Sequence, residues 1–207
     1  MGFDRAGFPF VGGAWLIALV AWIHVGAAYA VPLIALGAFF GFFFRDPHRT
    51  PPADLDLLLS PADGRVLVAG AALPGAPEGA WQQVSIFLSL MDVHVNRVPA
   101  SGIVTKVLYR PGRFLIASRK EAATENERSE VWIDHGGKAV VARQIVGFLA
   151  RRVVCRAKVG DKVLAGDRFG VMKFGSRMDV FLPLDATIEV AVGEMVRGGE
   201  TVIARRK

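Results

Sequence analysis

Cysteine is almost missing from this chain of 207 residues. Cys155 stands alone. No internal disulfide can form, and no metal site can be built on thiolates, because one sulfur cannot supply it. Charge is missing over a long stretch. From Phe8 to Phe44, thirty-seven residues pass without Asp, Glu, Lys or Arg. Acidic residues are in deficit, 19 against 25 basic, for a formal net charge of +6. Long helical periodicity is lacking after Phe44. A chain that is 52% apolar, with mean hydropathy +0.37, is neither a disordered tail nor a collagen-like repeat.

The uncharged stretch, FPFVGGAWLIALVAWIHVGAAYAVPLIALGAFFGFFF, is nearly twice as long as the roughly 20 residues one span requires. Gly26 and Pro32 write a break into its middle. Two short spans are expected, about Val11–Val25 and Tyr29–Phe43, with His24 in the connection; one long tilted span is the alternative. A signal peptide is disfavoured by the length and by the lack of a small-residue cleavage site. Arg5 flanks one end, Arg45 and Arg49 the other. A hairpin puts both ends on one side, and the positive-inside rule makes that side cytoplasmic. Residues 1–44 are therefore read as a membrane anchor in the inner (cytoplasmic) membrane, with residues 45–207 facing the cytoplasm. Asp4 and Arg5 cancel, so the whole basic excess lies in 45–207. With an apolar anchor in front, anionic lipid is its expected partner and nucleic acid is not.

After the polar, proline-rich RDPHRTPPADLD, short runs rich in Val, Ile and Phe alternate with Gly and Pro. Strands are expected at Arg65–Ala69, Gln83–Leu88, Gly102–Tyr109, Glu130–Asp134, Ala139–Ile145, Arg152–Ala157, Arg168–Phe174, Asp179–Pro183 and Thr187–Val192. One short helix is expected near Leu90–Val93. The tail segments KVGDKVLAGDRFG and EMVRGGETVIA echo each other as lipoyl-like hairpins. The fold class is mainly β, a sandwich- or barrel-like domain behind a membrane helical hairpin.

Four stretches carry polar residues that a plain β domain does not need. In SPADGRV, Asp63-Gly64 after Pro61 signals a turn. In SLMDVHVNRVP, Asp92, His94 and Asn96 would share one face of an extended chain. ENERSE (125–130) reads as a solvated loop. KFGSRMDVFLP places Gly175-Ser176 at the end of an apolar run.

Taken in order, these stretches resemble the phosphatidylserine decarboxylases, and most closely the short membrane-associated bacterial form. The resemblance runs from Phe43-Phe44-Arg45-Asp46-Pro47 through Ser60-Pro61-Ala62-Asp63-Gly64, Asp92-Val93-His94-Val95-Asn96-Arg97 and Asn126-Glu127-Arg128. It continues through Gln144-Ile145-Val146-Gly147 and Ala150-Arg151-Arg152 to Phe174-Gly175-Ser176-Arg177. It implies a proenzyme that cuts itself between Gly175 and Ser176 into a β chain, 1–175, and an α chain, 176–207. It implies a covalent pyruvoyl group made from Ser176, with no metal and no nucleotide. That group would hold phosphatidylserine as a Schiff base, and phosphatidylethanolamine and CO₂ would be the products. By the same match Ser176 is the self-cleavage nucleophile, His94 the base and acid, and Asp63 the carboxylate that orients His94; on local spacing alone Asp92 competes for that last role. A serine hydroxyl is a poor nucleophile without a positioned base, and an imidazole ordinarily titrates near neutrality.

Arg97, Arg151, Arg152 and Arg177 are candidates for the substrate phosphate. A homodimer is also implied. Longer family members carry Leu-Gly-Ser-Thr at the cut and a second His where Asn96 or Arg97 stands here; if two histidines divide the roles there, His94 would serve both reactions here or share them with another group. His135 reads as a turn histidine. Two other readings compete: an uncut lipoyl-like binding or carrier module modified at Lys173, and a serine hydrolase using Ser176 and His94. The hydrolase lacks a Gly-x-Ser-x-Gly elbow.

Overall fold

In the computed structural model, residues 2–148, 152–173 and 175–206 are described. The chain divides into two compact units, Met1–His48 and Arg49–Lys207.

The first unit is a helical hairpin. Strand β1 (Gly2–Phe3) and a 3₁₀ turn lead into α1 (Phe8–His24), which begins with Pro9 in its first turn, where a missing N–H costs nothing. Gly26, at φ +114°, breaks the chain. α2 (Ala27–Phe43) follows, and β2 (Arg45–Asp46) returns to pair with β1. The two helices therefore exceed the expected spans at their N-terminal ends. His24 is the last residue of α1 rather than part of the connection, and Pro32 lies inside α2 rather than at the break. The boundary falls four residues later than the sequence indicated, because Arg45–Asp46 are tied to β1.

The seam between the helices is made of small residues. Ala14, Ala18, Ala30 and Gly37 are buried, and a Cβ on Gly37 would lie 2.5 Å from Trp15 Nε1. The large apolar side chains point outward: Leu16, Ile17, Leu19, Trp22, Ile23 and Val31 are each more than half exposed. That is the inverse of a water-soluble helix pair and the arrangement of helices packed in lipid. Arg5–His24, 20 residues, is long and apolar enough to cross a membrane; α2, at 17, is shorter.

The second unit is mainly β, as expected. Its large antiparallel sheet curls through eight strands in the order β11–β7–β8–β9–β13–β5–β4–β15. These are β4 (Gly64–Ala71), β5 (Gln82–Leu88), β7 (Gly102–Arg110), β8 (Arg128–His135), β9 (Lys138–Ile145), β11 (Lys162–Val163), β13 (Ser176–Leu182) and β15 (Met195–Val196). One small sheet joins β10 (Val154–Cys155), β12 (Arg168–Val171) and β6 (Val95–Arg97). The other joins β14 (Thr187–Ile188), β16 (Val202–Arg205) and β3 (Leu57–Leu59). The short helix expected at Leu90–Val93 is a turn, and a helix of four residues, α3 (Ala122–Glu125), stands elsewhere.

Alternation along β13 sorts the two faces of the sheet. Met178, Val180 and Leu182 join Val84, Ile86 and Leu88 in the main apolar core. Arg177, Asp179 and Phe181 point the other way, together with Ser85 and Arg143. That second face buries ion pairs. Arg177 Nε and Nη2 donate to the two Asp179 oxygens at 2.6 and 3.0 Å, and Arg143 Nε donates to Glu130 at 3.0 Å.

Candidate active site

β13 opens on Ser176, at the point where the ladder with β5 and β9 starts. The preceding Gly175 has φ +72°, a conformation glycine adopts without penalty. Being even-numbered on this strand, Ser176 faces the apolar core. Its residue is fully buried, and its Oγ has no hydrogen-bond partner. Leaving a buried hydroxyl unpaired costs about 1–3 kcal/mol, which a purely structural serine would not carry.

His94 meets this serine's neighbour. The Gly175 N–H donates to His94 Nε2 at 3.4 Å, and His94 Nδ1 lies 2.9 Å from the Asp92 carbonyl. A carbonyl accepts only, so the proton sits on Nδ1 and the Nε2 lone pair faces Gly175. The Asp92 carbonyl is held in place by a turn. The Asp92 carboxylate accepts from Ser89 N–H and Ser89 Oγ, both at 2.7 Å. Asp92 therefore orients His94 through its backbone, a role that side-chain spacing could not reveal.

The Asp63 carboxylate accepts from Arg49 Nη2 and from the Gly198 N–H, each at 2.7 Å, while Arg49 also reaches Glu200. Burial raises the Asp63 carboxyl above its ordinary value despite Gly198 and Arg49, and the nearby Asp92 charge adds to the rise. The Asp63 proton is thus held longer in the native state than in the unfolded chain. Ionising it withdraws stability as pH climbs from about 3.8 through the raised value.

The four arginines separate. Arg177 lies on the face opposite Ser176, 3% exposed and bonded to Asp179 and Ser85. Arg97 is buried in β6 and donates to the Gly166 carbonyl at 3.0 Å. Arg152 is exposed, and Arg151 lies outside the described residues. Arg177→Ala strands a buried Asp179 charge. It is expected to lower stability by about 3–5 kcal/mol, measured by thermal unfolding in detergent on a Ser176→Ala background. A phosphate ligand would instead change KM and leave the melt alone.

The remaining candidates also have places. Burial pushes the Cys155 thiol up from its ordinary value, which disfavours the thiolate. His135 ends β8 with Nδ1 2.7 Å from the Ser101 carbonyl, at the Gly136–Gly137 turn, as a turn histidine would. Lys173 lies on the crossover from β12 in one sheet to β13 in another, not at the hairpin tip a carrier lysine requires. ENERSE is no loop: Asn126 is fully buried, and β8 begins at Arg128. Asn96 and Gln144, missed as a pair, join through Gln144 Nε2 and Asn96 Oδ1 at 2.8 Å. Asn96 Nδ2 and Gln144 Oε1 are left unpartnered in the core. Among the described residues no cluster of His, Cys, Asp and Glu could hold a metal ion.

Comparison with known proteins places this chain among enzymes that remove carboxyl groups. The sequence profile described as Phosphatidylserine decarboxylase matches residues 36–204. A phosphatidylserine decarboxylase proenzyme of Solibacter usitatus is 46% identical over 189 residues, 91% of this chain and 89% of the relative. One from Cupriavidus taiwanensis is 40% identical over 202 residues, 97% of this chain and 94% of the relative. The chain belongs to the phosphatidylserine decarboxylase family.

Proposed function

We propose that this enzyme converts phosphatidylserine to phosphatidylethanolamine and CO₂ with a pyruvoyl group that it makes from its own Ser176. The observation carrying the reading is the buried Ser176 hydroxyl, unpartnered, directly after a glycine whose N–H donates to His94 Nε2. The residues present suit such a group. Ser176 supplies its carbon skeleton, and Gly175 leaves the scissile bond without a side chain. Ser176 is buried on the core-facing side of β13, which keeps bulk water from the group. Once formed, the group supplies an electron sink for the pair left behind as CO₂ departs.

The protein's own side chains do the rest. His94 takes the Ser176 hydroxyl proton through Nε2 while Asp92 holds the ring, and the same nitrogen later returns a proton to the substrate carbon. Asp63, within electrostatic reach of Asp92, favours the imidazolium when its carboxyl is ionised. Arg152, exposed beside the 149–151 segment, offers its guanidinium to the lipid phosphate. Arg97 and Arg177 hold structure instead. Residues 1–44 anchor the enzyme at its substrate in the cytoplasmic membrane, with 45–207 in the cytoplasm. There the β chain (1–175) and α chain (176–207) stay associated within a homodimer.

Intact mass under denaturing conditions tests this reading. The wild-type chain is expected as two pieces, 1–175 and 176–207. The smaller should be blocked to Edman degradation and carry a ketone in place of its amine. One uncut mass from folded protein would sink the proposal and revive the carrier module.

A further inference from the structure

We infer that Gly147 seats the scissile carbonyl and so sets the rate of self-cleavage; this rests on the reading proposed above. The β9–β13 ladder ends at Arg177 opposite Ile145. Continued by two residues, that register sets Gly175 against Gly147. The approach is very close: a Cβ on Gly147 would fall 1.8 Å from the Gly175 carbonyl oxygen and 3.0 Å from its carbon. A carbon and a carbonyl oxygen normally stay about 3.3 Å apart. Gly147 is not among the positive-φ glycines, so alanine suits its backbone. What this position requires is the absence of a side chain, not a special conformation.

The chain just before Gly147 is held in place. The Val146 carbonyl accepts from Asn126 Nδ2 at 2.8 Å, and the Val146 N–H donates to the Glu127 carbonyl at 3.1 Å. Asn126 is fully buried. Its Oδ1 accepts from the Leu115 N–H at 2.9 Å, and its Nδ2 also donates to the Leu115 carbonyl at 2.8 Å. With Gly147 pinned from behind, an added methyl must push the Gly175 carbonyl away by more than an ångström.

That carbonyl is the electrophile. Ser176 Oγ attacks the Gly175 carbonyl carbon, the C–N bond breaks, and an ester forms. The hydroxyl proton ends on the freed amine of residue 176. Removal of the Ser176 α-proton then expels the Gly175 carboxylate and leaves a carbon–carbon double bond. Tautomerisation and hydrolysis by one water release ammonia and leave the ketone. Only the first step depends on where the carbonyl sits, and a misplacement of about 1 Å can cost about a hundredfold.

The experiment follows uncut chain over time by intact mass in purified Gly147→Ala, beside wild type and Gly41→Ala, where an added Cβ meets nothing within 4 Å. Gly147→Ala is expected to cleave about a hundredfold more slowly with an unchanged melting temperature, and Gly41→Ala at the wild-type rate. Hydroxylamine, which opens esters, is expected not to speed the variant, because the block precedes the ester. The fraction that does cleave is expected to turn over phosphatidylserine normally per pyruvoyl. Cleavage within threefold of wild type, rescue by hydroxylamine, or a parallel fall in turnover per pyruvoyl would each overturn the inference. If Gly147→Ala does not fold, Asn126→Ser decides. It loosens the pin without adding an atom and should slow cleavage about tenfold, and an unchanged rate refutes the role. An uncut wild type defeats the underlying reading, whereas a cut wild type beside an equally cut Gly147→Ala defeats this inference alone.

Discussion

Ser176→Ala is expected to remain a single chain of 207 residues and to release no CO₂ from phosphatidylserine above background. Both losses follow from one atom. Without Oγ no ester can form at Gly175, and without that cut residue 176 never becomes the electron sink. The drop in turnover should be on the order of 10⁶-fold, the scale seen when a catalytic nucleophile is removed. The fold should survive. Ser176 Oγ makes no hydrogen bond, and Ala presents a similar surface to the core. Removing an unpaired buried hydroxyl is neutral or stabilising, so the variant should melt cooperatively. Ser176→Cys keeps a nucleophile and should cut slowly. Intact mass and labelled-CO₂ release in detergent–lipid micelles check both expectations. A Ser176→Ala chain that still splits at 175/176 would place the nucleophile elsewhere.

The apolar helical hairpin was legible because a charge-free run needs no tertiary information. The long strands were legible for a similar reason: β4, β5, β7, β8 and β9 are runs of β-branched residues, and their ends fall within about two residues of the reading. The short strands were legible only in part: β10 and β14 lie inside expected strands, and β11, β15 and β16 fall in the tail segments read as hairpins but pair with β7, β4 and β3 instead, while β3 left no signal in the sequence. β6 is Val-Asn-Arg, polar in sequence and buried in the fold. Arg177 was misplaced through a boundary. With the strand begun at Asp179, Arg177 seemed free to face the substrate. Begun at Ser176, the same strand forces neighbours onto opposite faces and brings Arg177 to Asp179 two residues on. The family was readable as an ordered set of motifs. The Asp92 carbonyl and the closeness of Gly147 were not, because a backbone atom's position leaves no trace in side-chain type.

His94 carries the second large effect. Its ring is fixed at both ends: Nδ1 on the Asp92 carbonyl at 2.9 Å and Nε2 on the Gly175 N–H at 3.4 Å. The lone pair therefore lies at the Gly175 N–H, on the residue just before the proposed cut, and general-base help of the kind assigned to it contributes about 10²–10⁴-fold. His94→Ala is expected to slow self-cleavage by that factor. Added imidazole should recover part of it by filling the vacated space. His94→Gln keeps the size and an acceptor, and should hold the fold while cutting almost as slowly. Asp92→Asn should be far milder, since the carbonyl that orients the ring is unchanged and only the Ser89 turn is weakened. The measurements are time courses of intact mass, then turnover counted per pyruvoyl in whatever fraction has cleaved. That second number separates His94 from Gly147. A residue that only seats the scissile carbonyl drops out once the bond is gone, whereas a histidine that also reprotonates the substrate carbon stays necessary. Turnover per pyruvoyl should therefore fall in His94→Gln and hold in Gly147→Ala. Wild-type cleavage in His94→Ala would strip the base role from His94. Normal turnover per pyruvoyl in slowly cut His94→Gln would confine it to the first reaction.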